Sequence, residues 1–262
     1  MDRFAALLLQ SHPKAEPVLA PWFAFSHEVS LAPRKVTEPA IGQIRLKWWT
    51  EAAEECLDAT REARVHPAVT GWNAALDEAG HRPAPGLVLA MIEAHALDLE
   101  KTPYADIEAL RADATARWGN QLRVGLQLLH VGDENHHHAA NHVGAAFGMM
   151  QQLYAATGED ARGRQVLPGL GTELDKAPPE ARAEAGLALC GQALYHLDRA
   201  QELLPKPQAT ALPVLRFGLA AKALIDEAEK AGGDPAALPD KDKVANTFAL
   251  RLTWARLRGR YV

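Results

Sequence analysis

Asp98 is the residue in this chain that most needs an explanation. Leu87, Met91, Ala94 and Asp98 fall at i, i+4, i+7 and i+11, so the carboxylate shares the apolar face of a helix. An ionised carboxylate buried without a partner is strongly destabilising, so Asp98 must be paired or face a cavity. A second group is rich in histidine: His130, His136, His137, His138 and His142. His138 and His142 have the i, i+4 spacing of a two-ligand metal pair. No cysteine and no second His/Glu pair lies near them in sequence, and the run follows Gly132-Asp133-Glu134-Asn135. It therefore reads as a solvated first turn of a helix, with Asp133 and Glu134 suited to capping and to the helix dipole. A third group, Glu38-Pro39 through Trp48-Trp49, sets Arg45 beside two adjacent tryptophans. Adjacent helix positions point about 100° apart, so at most one tryptophan can face the centre of a core. The plain reading is that both pack, with Arg45 paired to Glu38 or Glu51.

The elements that must position these groups are helical. Alanine is abundant, β-branched residues are sparse, and no segment alternates with period two. Helices are predicted at roughly 14–30, 39–64, 67–80, 86–100, 105–118, 119–131, 136–156, 179–204, 209–231 and 241–258. Breakers separate them at His66-Pro67, Arg82 to Gly86, Gly132-Asp133, Gly169 to Gly171, Pro178-Pro179, Pro205 to Pro207 and Gly232 to Pro235. In the long helix after the histidines, Ala139, Val143, Ala146, Met150 and Leu153 share a face, and Gly144 and Gly148 admit a close neighbour. No linker is long enough to separate domains, so one domain is expected over residues 1–262.

Bulk properties narrow the function classes. A 48% hydrophobic chain of 262 residues can bury a large core. A net charge of −5 argues against a nucleic-acid partner. Cys56 and Cys190 are far apart and have no metal-ligand spacing, so they read as buried thiols in a reducing compartment. The first ten residues lack a basic start and a small-residue cleavage site, and no apolar run approaches a membrane span. The expected location is cytoplasmic, peripheral at most to the inner membrane. The C-terminal segment carries Arg251, Arg256, Arg258 and Arg260 with Trp254 and Tyr261. These arginines complement a helix C-terminus, or form a docking strip for anionic lipid or an acidic partner.

Phe23-Ala24-Phe25 followed by Thr37-Glu38-Pro39-Ala40-Ile41-Gly42-Gln43-Ile44-Arg45-Leu46-Lys47-Trp48-Trp49 resembles the signature of the squalene/phytoene synthase family. Asp98-Leu99 with Tyr104 and Leu110, then Gly158-Glu159-Asp160 and Gly163-Arg164-Gln165-Val166-Leu167-Pro168, resemble later family segments in the same order. The likeness covers roughly residues 15–258 and is weakest after 180. It implies an all-α isoprenoid-synthase-type domain of about ten helices around a central cavity. It also implies that Phe25, Arg45, Trp48 and Trp49 line that cavity, with Arg45 on the diphosphate side.

The family's chemistry, head-to-head condensation of isoprenoid diphosphates, needs Mg²⁺ held by two Asp-x-x-x-Asp motifs on facing helices. Here the first motif reads Ser30, Leu31 and Arg34, and the aspartate expected four residues before Asp160 is Ala156. The aspartate-poor pattern resembles a branch of complex I assembly factors, whose spacing from Ala146-Phe147-Gly148 to Leu167-Pro168 the chain matches without a gap. The expectation is therefore a non-catalytic homologue with no cofactor and no metal. It would act by binding a protein partner, with an isoprenoid or lipid as a further ligand and peripheral membrane contact through the basic C-terminus. The alternative is a Mg²⁺-dependent prenyl transferase in which Glu28, Asp98, Glu159 and Asp160 are the vestigial catalytic set, and a third reading is a lipid carrier without chemistry.

Overall fold

Proline and glycine set the helix boundaries. In the computed structural model, which describes residues 2–100, 102–160 and 165–262, Pro39, Pro67, Pro85 and Pro179 each open a helix. A proline at that position loses no intrahelical bond and has its φ already set. The helices are α1 (Arg3–Gln10), α2 (Glu16–Leu31), α3 (Pro39–Leu57), α4 (Pro67–Ala79), α5 (Pro85–Ala94) and α6 (Leu97–Glu100). They continue as α7 (Ile107–Ala114), α8 (Asn120–Leu128), α9 (Glu134–Asp160), α10 (Pro179–Leu203), α11 (Leu212–Leu215), α12 (Phe217–Lys230) and α13 (Lys241–Arg258). A π-helical turn, Thr115–Gly119, joins α7 to α8. With α7 to α8 taken as one rod, the described residues form ten helices of eight or more residues and contain no strand.

Five features differ from the sequence prediction. α1 is an added helix, started by Asp2, whose side chain accepts from the Phe4 N–H at 2.9 Å. α3 stops at Leu57 because Asp58 turns extended and its carboxylate accepts from the Thr60 N–H. The helix predicted at 86–100 breaks at His95-Ala96, and the one at 209–231 breaks at Arg216. The two predicted at 105–118 and 119–131 fuse.

α9 is the axis of the fold, packed by α10, α12, α7, α8 and the π turn. Its predicted inward face is fully buried at Ala139, Val143, Ala146, Met150 and Leu153, and so are Ala145, Phe147 and Met149 on other faces. A helix apolar on most of its circumference belongs in the interior. Gly144 and Gly148 admit the close neighbour: a Cβ on Gly144 would lie 2.4 Å from the Gly119 nitrogen, and one on Gly148 would lie 2.8 Å from the Ala114 Cβ. α9 thus presses directly on the π turn.

An aromatic cluster anchors the N-terminal half. Phe25 contacts Trp22, Trp49 and Trp72, with ring centroids 6.0, 5.3 and 4.4 Å away. Trp22 donates its indole N–H to the Gln121 carbonyl at 2.9 Å, tying α2 to α8. Trp49 is buried here, whereas Trp48 is half-buried beneath the Arg64 guanidinium, 4.9 Å from its ring. Of the two adjacent tryptophans, one ring therefore enters the core. Cys56 and Cys190 are buried free thiols, each pushed up to about 12 by burial.

Trp49→Ala is expected to cost about 3–5 kcal/mol, the usual range for a large aromatic lost from a core. Chemical denaturation would show it as a lower midpoint at unchanged slope, and a wild-type midpoint would remove Trp49 from the core. A second expectation concerns acid. His142 and His196 share a hydrogen bond between their Nδ1 atoms at 2.8 Å, in which one ring must be neutral to accept and the bond is lost if both are protonated. Burial first, then nearby cations or the neighbouring imidazole, lowers both, and His196 and His12 are pushed down to about 4. Between the ordinary value of 6.5 and about 4, the unfolded chain takes up protons that the folded chain refuses. Stability should therefore fall as pH drops through that window. Melting curves from pH 7.5 to 4.5 should shift steadily downward, and His196→Gln should flatten the slope.

Candidate functional site

The groups with chemical potential meet where α2 ends. α2 runs to Leu31, and Pro33, which has no N–H to continue a helix, turns the chain. Arg34 leaves this turn and reaches across the gap, its Nη2 3.3 Å from Glu159 Oε1 at the end of α9 and its Nε 3.9 Å from Asp98 Oδ2. Asp98 is brought there by the break at His95-Ala96, which sets it on the short α6. The carboxylate on the apolar face is thus paired, as its burial requires.

Its main partner is Arg117, in the π turn. A π turn widens the helix by one residue and redirects a side chain, and here that side chain is a buried arginine. Arg117 Nη1 donates to Asp98 Oδ2 and Nε donates to Asp113 Oδ1, both at 2.8 Å. The His95 Nδ1 accepts from Nη1 at 3.2 Å. Tyr104 donates its hydroxyl to Asp113 Oδ2 at 2.6 Å, and Gln152 Nε2 stands 3.5 Å from that hydroxyl. The result is an alternating chain, Glu159–Arg34–Asp98–Arg117–Asp113–Tyr104, spanning three segments of the fold.

Its electrostatics follow from burial and pairing. Burial alone would raise the Asp98 carboxyl, but the Arg117 charge and the hydrogen bonds it receives hold it well below the usual carboxylate range. Burial alone would lower the Arg117 guanidinium, and Asp98 and Asp113 more than offset it. Burial and then Arg117 lower His95, so this imidazole is neutral and able to accept.

A cavity of about 590 Å³ opens beside the chain. Its lining combines polar residues, among them Arg34, His95, Arg117, Gln121 and Gln152, with apolar ones, among them Ala5, Phe23, Leu31, Trp118 and Ala155. Asp2 and Lys241 meet across its mouth at 2.8 Å.

The sequence-predicted residues divide cleanly. Asp98 and Glu159 come together through Arg34. Glu28 stands apart, 3.5 Å from Lys35 near the surface. The Asp160 side chain and residues 161–164, including Gly163 and Arg164, lie outside the described residues. Phe25 and Trp49 are in the core, Trp48 lies under Arg64, and none of them lines the cavity. Arg45 is exposed on the outer face of α3, away from the cavity, while Glu51 pairs with Arg64 at 3.3 Å. The block with the strongest sequence signal therefore serves packing, with Trp49 in the aromatic core and Trp48 against Arg64.

The histidine run is also only partly solvated. His136 is buried, bonded to Asp133 at 2.7 Å and accepting from the Gln208 N–H at 3.0 Å, and His142 turns inward to His196. Arg117, Asp113, His95 and Gln152 were missed by sequence reasoning. Asp113 and Arg117 did carry a signal: an acid and a base at i, i+4, in a chain where Asp98 needed a partner.

Magnesium does not fit this donor set. It requires about six oxygen ligands in near-octahedral array, and in these motifs a guanidinium is inserted between Asp98 and Glu159. Among the described residues no group of three or more His, Cys, Asp or Glu could hold a metal ion.

A sequence model of the squalene/phytoene synthase family matches residues 2–258. The solved structure of squalene synthase HpnC from Alicyclobacillus acidocaldarius superposes with a TM-score of 0.67 at 16% identity, covering 89% of this chain and 95% of that one. A dehydrosqualene synthase solved with a ligand gives a TM-score of 0.67 at 10% identity, covering 95% of each chain. At such identities the likeness is one of fold. Curated relatives include NADH dehydrogenase (ubiquinone) complex I, assembly factor 6. The mouse protein is 26% identical over 145 residues, covering 55% of this chain and 42% of its own length. The rat protein is 25% identical over 199 residues, covering 72% and 59%. The chain thus spans about half the length of the curated relatives it matches.

Arg117→Ala should be among the most damaging substitutions in the molecule. It leaves Asp98 and Asp113 without their shared cation, a change expected to cost about 3–5 kcal/mol. Thermal and urea unfolding would measure the loss, and a loss under about 1 kcal/mol would mean the pair is solvated.

Proposed function

The chain belongs to the squalene/phytoene synthase family, and we propose that within it the protein acts by binding, as an assembly or interaction factor for a membrane respiratory complex. The observation that carries this reading is Arg34. Where the family's condensation chemistry needs a carboxylate to gather metal ions, this chain supplies a fixed cation that ties Asp98 and Glu159 together. Diphosphate departure in a site without metals leaves concentrated negative charge uncompensated where the dielectric is low. The similarity to complex I assembly factor 6 from mouse and rat supports the direction of the reading, from catalyst to partner.

Calorimetric titration of the purified chain with Mg²⁺ and a non-hydrolysable farnesyl diphosphate analogue should show no Mg²⁺-dependent binding. Affinity-tagged protein from the native host should co-purify with subunits of its NADH:quinone oxidoreductase, and deletion should lower that complex's activity. Micromolar, Mg²⁺-dependent diphosphate binding would overturn the reading in favour of a prenyl transferase.

Peripheral membrane contact is part of the same proposal. None of the described helices is long and apolar enough to cross a membrane. α13, however, exposes Leu250, Trp254 and Leu257 at i, i+4 and i+7, each more than 60% accessible. The exposed Arg256, Arg258 and Arg260 lie beside this stripe, with Arg258 5.9 Å from the Trp254 ring. An apolar stripe with tryptophan and flanking arginines suits the interface of an anionic bilayer. Tyr261 does not belong to the strip: it is buried and donates to the Ala200 and Leu204 carbonyls. The protein should float with vesicles containing about a third anionic lipid at low salt, and Leu250→Ser with Trp254→Ser should abolish flotation without changing the melting temperature. Equal flotation with neutral vesicles, or none, would remove the membrane role.

A further inference from the structure

One buried cation has no part in the arginine–carboxylate chain. Arg216 sits at the break between α11 and α12 and is 2% exposed. Its Nε donates to the Arg260 carbonyl at 3.2 Å, and its Nη1 donates to His12 Nε2 at 2.9 Å. Both partners are neutral. Nη2 bonds to none of the described residues and, unlike Arg117 Nη2, is not sealed from water. No described side-chain or terminal carboxylate pairs with Arg216, whereas Arg117, the other buried arginine among the described residues, holds two. A guanidinium buried without a counter-ion is costly, so this corner is electrostatically incomplete.

The neighbouring charges are positive too. Gly259, at φ 66°, folds the end of α13 back, and the Arg260 N–H returns to the Ala255 carbonyl at 3.1 Å. This turn sets the Arg260 carbonyl on Arg216 and keeps Arg256 close to it. Burial first, then Arg256, pushes Arg216 down to about 10. Burial, then Arg216 and Arg256, pushes His12 down to about 4, and no carboxylate opposes either shift. Arg256 is exposed and pairs with no described carboxylate, whereas Arg251 on the same helix is held by Asp226.

The size of the excess charge selects the anion. A helix C-terminus carries about −0.5 of a charge, so the end of α13 offsets part of Arg216 and leaves, with Arg256, an excess of about +1.5. A phosphomonoester carries about −1.5 to −2 at neutral pH, close to this excess. A phosphodiester or a carboxylate has a single charge and leaves part of it unbalanced.

We infer that Arg216 and Arg256, where the α1–α2 turn meets the end of α13, form a binding site for a phosphomonoester. Arg216 Nη2 donates to one phosphoryl oxygen, and the Arg256 fork takes another. The same helix carries the Leu250, Trp254 and Leu257 stripe, so a lipid headgroup can supply the phosphate, as can a soluble ester. Only the lipid source rests on the membrane contact proposed above.

The test titrates the full-length chain with glycerol 3-phosphate and with dimethyl phosphate, in chloride buffer at constant ionic strength, following heat and melting temperature. Glycerol 3-phosphate should bind at about 1 mM or tighter and raise the melting temperature, with dimethyl phosphate at least about fivefold weaker. Arg216→Gln should abolish binding. Arg256→Gln, at an exposed position, should weaken it about tenfold, and it carries the comparison if Arg216→Gln fails to fold. Vesicles of matched surface charge then identify the source. Stronger flotation with phosphatidic acid than with phosphatidylglycerol, lost in Arg256→Gln, assigns the site to a lipid headgroup. Equal flotation with both, beside intact glycerol 3-phosphate binding, assigns it to a soluble ester. No glycerol 3-phosphate binding, or binding unchanged by Arg256→Gln, would overturn this inference, and flotation with phosphatidylglycerol would then leave the membrane contact standing. Absent flotation with intact glycerol 3-phosphate binding would remove the membrane contact and keep the site.

Discussion

A buried carboxylate must have a cation, and the rest of this structure is arranged around that demand. Asp98, Asp113 and Glu159 sit where water is scarce, and two guanidinium groups hold them: Arg117 from inside and Arg34 from the edge. Pairing of this kind contributes little net stability compared with an apolar core of the same shape, but it tolerates no missing member. It therefore constrains geometry more than it adds stability. The break at His95-Ala96, the π turn that aims Arg117 and the proline that ends α2 are each a local departure from regular helix that brings one member into place.

In the wider family the same position calls for aspartates and metal ions. A guanidinium differs from a metal in ways that matter. Its charge is single and covalently tethered, and its donors form a planar fork rather than an octahedron. It can satisfy carboxylates permanently, but once paired with them it offers a diphosphate no open coordination positions of the kind a metal ion keeps. Arg34 sets a tethered cation between Glu159 and Asp98 at the lining of the cavity. A guanidinium between the two carboxylates and a cavity beside them thus coexist in one fold.

The outer surface shows the complementary economy. α13 buries Val244, Phe248 and Leu252 against α12 and α1, and presents Leu250, Trp254 and Leu257 outward. Its arginines are divided in the same way. Arg251 is held by Asp226, whereas Arg256 and Arg258 stay exposed beside the stripe.

The sequence by itself determined the helical class, the inward face of α9 and the close-approach glycines, because each is set by periodicity or by the absence of a side chain. It also determined that Asp98 had to be paired or to face a cavity, and that the aspartates of the first motif were absent. It was silent on which cation answers Asp98, since Arg117 is nineteen residues away and is aimed by a π turn that has no sequence signature. It marked Arg45, Trp48 and Trp49 by motif strength, yet side-chain direction depends on which neighbours a helix packs against, and only the assembled fold turned Trp49 to the core and Arg45 to the outside. Likewise His142 found His196 across fifty-four residues, and Arg34 found Glu159 on a helix far along the chain. Local chemistry fixes what each segment becomes. Which charges meet is decided by loop closures and packing over long separations, and that information exists only once the chain is folded.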